Sequence, residues 1–526
     1  MHLTSPIHAT DAEQSGPGRS VRSERLFPWF LLVVALLYLA GLNAHWWPQR
    51  DSILYLGLGR SLAETGEFSF NYRPTVSVLP GFPAMLAVLY KVFGESFLAA
   101  NIMVLFFGIG CVAMAYLLWK ESSLSNFHLL ACTLLFGFSR TLFYYSHQIM
   151  TDVPFTFTAL LALYFGAKML KSEGRRSMQW CMWSALAGCF AILIRPFGLA
   201  ALAAVAGAMW LKGGISRGPA SKLGRTALLL APVAVLGGLW AVRCIAYDVS
   251  IYQADYFSKF LGRRGLAGLG VQVLSSVPEL VKALPDAMFG SALGTTVSVL
   301  LLALLLLGLI VSLRAGERLL SSYGIIYLAG ICLGEPGRRY LLPVLPVLLY
   351  WLCSGLAAIG RWVVEGRKFP RREHVIRAAY VLLGLALAFN VVRIGILISL
   401  SRSSHFYEAV REGRYADYFV LADWLKGNAG PEVVVLAKEY RVLHYFSRVK
   451  TMDLPYRQIE RGPERPIPSR QRPTIMYVVR ESKDEERAAF MDSLMRAKPQ
   501  AFEKVRSFGE VELYRLDTVK LGERGA

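Results

Sequence analysis

Five side chains stand where chemistry could be done, each beside the end of an apolar run. They are Asp51 in "HWWPQRDSILYLGLGR" (45–60), Asp152 in "YYSHQIMTDVPF", Arg195 in "AILIRPFGLA", and Arg338 and Arg339 in "GEPGRRYLLPVLP". Carboxylates near fixed guanidiniums suit group transfer from a phosphate: one acid takes the acceptor's proton while the cations stabilise the departing phosphate. Arginine is matched to that task because its planar fork gives a phosphate two parallel charge-assisted hydrogen bonds. Asp51 is therefore expected as general base, with Asp152 orienting the acceptor or an ion. Arg195, Arg338 and Arg339 are expected to hold the donor phosphate. Tyr55, His147, Glu335 and Tyr340 lie close by in sequence and are expected substrate contacts. Several have a structural alternative. Asp51 and Asp152 could cap helices, Arg338 and Arg339 could anchor a helix end to headgroups, and Trp46 and Trp47 read as an interfacial aromatic belt.

The elements that must position these residues are membrane helices. The 526-residue chain is 54% hydrophobic, with a mean hydropathy of +0.41. About eleven apolar runs approach the roughly 20 residues a spanning helix needs. They lie near 27–43, 98–119, 126–146, 153–170, 177–194, 196–213, 225–245, 288–313, 318–334, 340–362 and 376–400. No small-residue cleavage site follows the first run, which therefore reads as an uncleaved anchor. With the amino terminus inside, the basic segments "KSEGRR", "KGGISRGPASKLGR", "RAGER" and "GRWVVEGRKFPRREHVIR" all fall on the cytoplasmic side. Asp51, Asp152, Arg195, Arg338 and Arg339 then all face outward. The run "LPGFPAMLAVLYKVF" (79–93) is short and opens with prolines, so it reads as an interfacial helix, as does 51–65.

The expected division is a disordered cytoplasmic terminus (1–24), a transmembrane catalytic domain (25–402) with a first external loop of about 44–98, and an extracytoplasmic domain (403–526). In that tail "YADYFVLADWLKGN" and "DEERAAFMDSLMRA" read as helices, "EVVVLA" and "TIMYVV" as buried strands, and 457–473 as a mobile basic linker. The net charge of +20 is explained by membrane topology, so a nucleic-acid partner is not expected. The seven cysteines lie within or beside apolar runs and read as small core residues. No Cys cluster or His pair at ligand spacing signals a metal; a divalent cation held by Asp51 and Asp152 is the one metal option the residues leave open. Gly-rich nucleotide-phosphate loops are absent, which argues against a nucleotide-powered pump.

The segments "RDSILYLGLGRSLAETGEFSF" and "RPTVSVLPGFPAMLAVLYKVFG", with Asp51, Tyr55, Gly66, Phe68, Pro80, Gly81, Pro83, Phe93 and Gly94, resemble the first external loop of GT-C membrane glycosyltransferases. "LIRPFGL" and "RRYLLPVLPVLL" are similar to later segments of that superfamily, and the resemblance spans roughly 27–400. It is nearest to the bacterial relatives of the protein mannosyltransferases and lipid A aminoarabinose transferases. The resemblance implies an all-α polytopic GT-C fold with a small α/β tail, and inverting transfer of a hexose or pentose from a polyprenyl-phosphate donor. It places Asp51 at the catalytic acid's position and Asp152 at a second acidic one. The acceptor could be lipid, glycan or protein. Asp51-Ser52 stands where many protein mannosyltransferases have two adjacent acids, which weakens a protein acceptor. A polysaccharide ligase or polymerase, a flippase or transporter of lipid-linked sugar, and a non-catalytic lipid-binding member are the rival readings.

Overall fold

The computed structural model describes residues 17–122, 124–212, 219–247, 257–289, 294–334, 336–365, 372–402, 415–453, 475–517 and 520. The chain divides into two compact units, Met1–Trp46 with Val76–Ser401 and Trp47–Thr75 with Arg402–Ala526. Residues 47–75, kept with the membrane domain in the sequence reading, thus cluster with the tail.

The membrane unit begins with α1 (Pro17–Ala40), which overlaps the end of the stretch 1–24 expected to be disordered; residues 1–16 of that stretch lie outside the described residues. After α2 (Arg50–Glu64), which belongs to the other unit, come α3 (Gly81–Phe93), α4 (Phe97–Lys120), α5 (Asn126–Gly137), α6 (Arg140–Ser146), α7 (Asp152–Lys171), α8 (Gly174–Ile194) and α9 (Leu199–Leu211). The rest are α10 (Pro219–Ala246), α11 (Phe257–Phe289), α12 (Thr295–Arg314), α13 (Arg318–Cys332), the short α14 (Arg338–Leu341), α15 (Leu345–Glu365) and α16 (Arg372–Arg402).

Among the described residues, 7 helices are long and apolar enough to span a membrane, or up to 8 when α5 and α6, bent by 43°, count as one span. The chain is a multi-pass membrane protein. The other expected spans are shorter apolar helices, Arg25–Ala40, Pro196–Leu211 and Arg318–Cys332, and the expected interfacial helix is α3. The 33-residue α11 is not among the expected spans, and it runs through Pro278 and Pro285. Gly308 of α12 and Gly355 of α15 let these helices touch backbone to backbone. A Cβ at Gly308 would strike the Trp351 carbonyl, and one at Gly355 the Leu304 carbonyl. All seven cysteines are free and buried, as small core residues should be.

The tail unit contains α17 (Ala416–Asn428), β3 (Val433–Leu436), α18 (Tyr440–Ser447), β4 (Lys450–Met452), β5 (Ile475–Glu481), α19 (Glu485–Ala497), β6 (Phe502–Phe508) and β7 (Val511–Leu516). Its sheet has the order β4-β3-β5-β7-β6, with β3 parallel to β4 and β5, and β7 antiparallel to β5 and β6. The fully buried β3 reads as an unbroken apolar run, as a strand covered on both faces must. Edge strand β6 carries charges along "FEKVRSF" and escaped the sequence reading for that reason. The expected linker at 457–473 lies outside the described residues.

The same unit holds α2 and a two-residue hairpin, β1 (Ser69–Phe70) and β2 (Arg73–Pro74). Its turn residues Asn71 and Tyr72 both have positive φ, 57° and 60°, as a turn matched to strand twist requires. The rings of Phe70 and Tyr72 lie 5.0 and 5.6 Å from that of His444 on α18. Burial pushes the His444 imidazole down to about 4, Arg60 and Arg448 add to the effect, and the 2.8 Å contact of Nδ1 with the Val449 carbonyl opposes it. An unfolded histidine titrates near 6.5. Between these values the unfolded chain binds the extra proton, so this contribution to stability is complete above about 6.5 and is lost as pH falls toward about 4. Thermal unfolding of the full chain between these pH values should show the tail weakening with acid, and His444→Asn should flatten that dependence.

Candidate functional site

The membrane unit gathers a cluster around Asp152. This residue opens α7, where the aligned peptide dipoles favour a negative charge. Its side chain is 0% exposed, with Arg195 Nη2 at 2.9 Å and Arg339 Nε at 3.3 Å from Oδ1. Among the described residues neither carboxylate oxygen receives an aligned hydrogen bond, so charge proximity is the main compensation for burial. Arg195 is placed by Pro196: α8 ends at Ile194, Arg195 takes an extended conformation, and a 3-10 turn follows at Pro196–Gly198. Gly198 is required there, because a Cβ would meet the Ile192 amide nitrogen at 2.5 Å. Arg195 Nε also donates to Thr151 Oγ1 at 2.7 Å. The Tyr340 ring lies 5.7 Å from the Arg195 guanidinium and 5.2 Å from that of Arg339.

Arg338 and Arg339, expected to act as a pair, divide between two acids. Arg339 faces Asp152, whereas Arg338 Nη1 lies 3.4 Å from Asp286 Oδ1 on α11 and its guanidinium lies 5.1 and 5.7 Å from the Tyr144 and Tyr145 rings. They sit on one helical turn, where consecutive residues point about 100° apart. Arg140 interacts electrostatically with Arg338, Arg393 and Asp286. The sequence reading missed Arg140, Asp286, Arg393, Tyr144 and Tyr145. Arg393 could have been found by the reasoning applied to Arg195, since it too interrupts an apolar run.

Other expected site residues have different surroundings. His147, an expected substrate contact, has Nδ1 2.7 Å from the Phe143 carbonyl and Nε2 2.9 Å from the Tyr38 carbonyl, so its ring ties α6 to α1. Trp46 is only 3% exposed and cannot present its face to lipid as a belt residue would. Glu335 lies outside the described residues. In the tail unit, Asp51 sits half-buried in the first turn of α2, and Tyr55 is buried on the same helix. The N-cap of α2 is Gln49, so capping is not the role of Asp51.

The residues fit a metal poorly. Asp152 is already neutralised by two guanidiniums, which repel a cation, and no group of three His, Cys, Asp or Glu gathers among the described residues. Guanidiniums outnumber carboxylates where Arg195, Arg339, Arg338, Arg140 and Arg393 meet Asp152 and Asp286. Such an excess near helix ends attracts an anion with several acceptor oxygens.

Residues 74–238 match the family model for dolichyl-phosphate-mannose-protein mannosyltransferases. ArnT from Cupriavidus metallidurans in the apo state is 14% identical, with a TM-score of 0.61 and coverage of 95% of this chain and 100% of that one. ArnT from the same organism bound to undecaprenyl phosphate gives a TM-score of 0.60 at 14% identity, covering 95% of this chain and 99% of that one. The archaeal oligosaccharyltransferase AglB from Archaeoglobus fulgidus, in complex with an inhibitory peptide and a dolichol-phosphate, is 12% identical with a TM-score of 0.56, covering 86% of this chain and 69% of that one. No curated protein matches. The fold is that of the GT-C membrane glycosyltransferases, as the sequence resemblance implies.

Proposed function

We propose that this protein transfers a sugar from a polyprenyl-phosphate carrier to an acceptor on the outer side of the cytoplasmic membrane, with inversion at the anomeric carbon. The observation that carries the reading is the excess of guanidiniums around Asp152 and Asp286 in a chain of GT-C fold. It is supported by the undecaprenyl phosphate bound to ArnT, a protein with similar architecture. Asp51 takes the proton of the acceptor hydroxyl as its oxygen bonds to the anomeric carbon. The bond from that carbon to the phosphate oxygen breaks, and the polyprenyl phosphate leaves with the electron pair. Arg195, Arg338 and Arg339 hold the phosphate, and Arg140 adds to their field. Tyr340, between two of these arginines, is a natural neighbour of the donor. Asp152 keeps the Arg195 and Arg339 side chains in place between turnovers. The amino terminus is cytoplasmic and the tail outside, as the basic loops require.

The test is reconstitution of the purified protein into vesicles with polyprenyl-phosphate sugars of the hexose and pentose classes. Mass spectrometry should find free polyprenyl phosphate released in step with a new glycoside. Donor crossing the bilayer without a new glycosidic bond would instead identify a transporter. Envelope lipids and glycans from a deletion strain should show an accumulated donor and a missing sugar, which together name both substrates.

A further inference from the structure

Arg50, immediately before Asp51, is held from the tail. Its Nη2 lies 2.6 Å from Glu439 Oε1 and its Nε 3.2 Å from Oε2, a two-pronged contact with a carboxylate only 3% exposed. The Tyr415 hydroxyl also bonds to this guanidinium. Further along α2, Arg60 donates to the Tyr445 carbonyl at 2.9 Å and lies 3.9 Å over the Tyr445 ring, while Glu64 meets Arg448 at 3.1 Å. Beyond α2, the Asn71 side chain pairs with Thr451 of β4: Nδ2 donates to the carbonyl, and the Thr451 amide donates to Oδ1 at 3.0 Å. The Asn71 amide thereby imitates a neighbouring strand at a sheet edge. Tyr72 adds a hydroxyl bond to the Arg448 carbonyl at 2.9 Å.

These contacts fix α2 at both ends and along its length, and the two-pronged one is one residue from Asp51. Packing alone does not call for a buried carboxylate, because replacing such an ion pair with apolar groups is often neutral or stabilising. What the two-pronged pair supplies is direction. We propose that the α/β tail is the positioning device for the helix that carries Asp51, and that Glu439, through Arg50, is its central positioning residue. The proposal rests on reading Asp51 as the base and assigns the tail its task in that reaction.

The test uses the full-length protein in nanodiscs, with Glu439→Gln, the charge-preserving Glu439→Asp, and Arg60→Met. Hydrogen exchange should quicken across residues 50–64 in Glu439→Gln while β3 and β5 stay protected. In the same variant kcat should fall roughly 10- to 100-fold, since small misplacements of a reacting group cost that much, and the donor KM should change less than about twofold. Glu439→Asp should recover part of the kcat, and Arg60→Met should show a milder fall of the same kind. Unchanged exchange and kcat in Glu439→Gln would overturn the proposal, as would loss of protection throughout the sheet, the mark of a residue needed only for folding. Retained turnover in Asp51→Asn, with α2 still released by Glu439→Gln, would remove the base reading and leave the anchor standing. Loss of turnover in Asp51→Asn with no response to Glu439→Gln would remove the anchor alone.

Discussion

Asp51→Asn is expected to lower transfer by about 10²- to 10⁴-fold, the usual worth of a general base, with little change in expression, insertion or donor binding. The substitution keeps the size and most of the hydrogen-bonding capacity of the side chain and removes its basicity. Helix capping does not complicate the result, because Gln49 occupies the cap position of α2. The structural cost includes the interaction of the carboxylate with the helix dipole, about 0.3–1 kcal/mol. A single-turnover assay with saturating polyprenyl-phosphate sugar isolates the bond-making step from donor binding. Turnover within about tenfold of the parent would take Asp51 out of the proton transfer.

Hydropathy made the helices legible because a membrane segment must satisfy its backbone internally and present apolar side chains over a fixed length. Where described, the expected apolar runs fall on helices, the 126–146 run on the bent pair α5 and α6, and α3 is a helix at one of the expected interfacial segments. Length was less legible: α9 and α13 are short because a 3-10 turn and tight loops replace helical residues near their ends. The tail helices α17 and α19 and the strands β3 and β5 followed from periodicity. The antiparallel β6 and β7 did not: β6 is an edge strand disguised by its protective charges, and β7, paired on both sides, intersperses charged residues among its apolar ones.

Within the site, sequence marks each charged residue by its cost at the end of an apolar run but does not name its partner. Asp152 and Arg195 belong to different helices, and their pairing depends on the way Pro196 breaks the chain. The separation of Arg338 from Arg339 follows from the angular step of one helical turn, which a linear motif hides. Asp286 lies on α11, a helix outside the expected spans, and nothing in the linear sequence names it as the partner of Arg338.

The Asp152–Arg195 pair gives the second large effect. Asp152→Ala removes the carboxylate from between two guanidiniums that are only 11% and 23% exposed and leaves their charges facing one another. Breaking one side of a buried pair costs about 3–5 kcal/mol, so the unfolding temperature in detergent should drop steeply and activity should go with it. This result alone cannot separate a structural pair from a phosphate-holding arginine; the double variant Asp152→Asn with Arg195→Gln does. With no charge on either partner, the repulsion between the two guanidiniums is relieved, Arg339 remains as a single, partly exposed cation, and part of the stability should return. If Arg195 serves only to neutralise Asp152, donor affinity returns as well. If it grips the donor phosphate, affinity stays weaker by the worth of a charge-assisted hydrogen bond, about 1.5–3 kcal/mol or roughly 10- to 100-fold. Thermal unfolding and equilibrium binding of polyprenyl phosphate, measured on the same preparations, give the two readouts. The expected result is recovery of the first without the second, and recovery of both would confine Arg195 to a structural role.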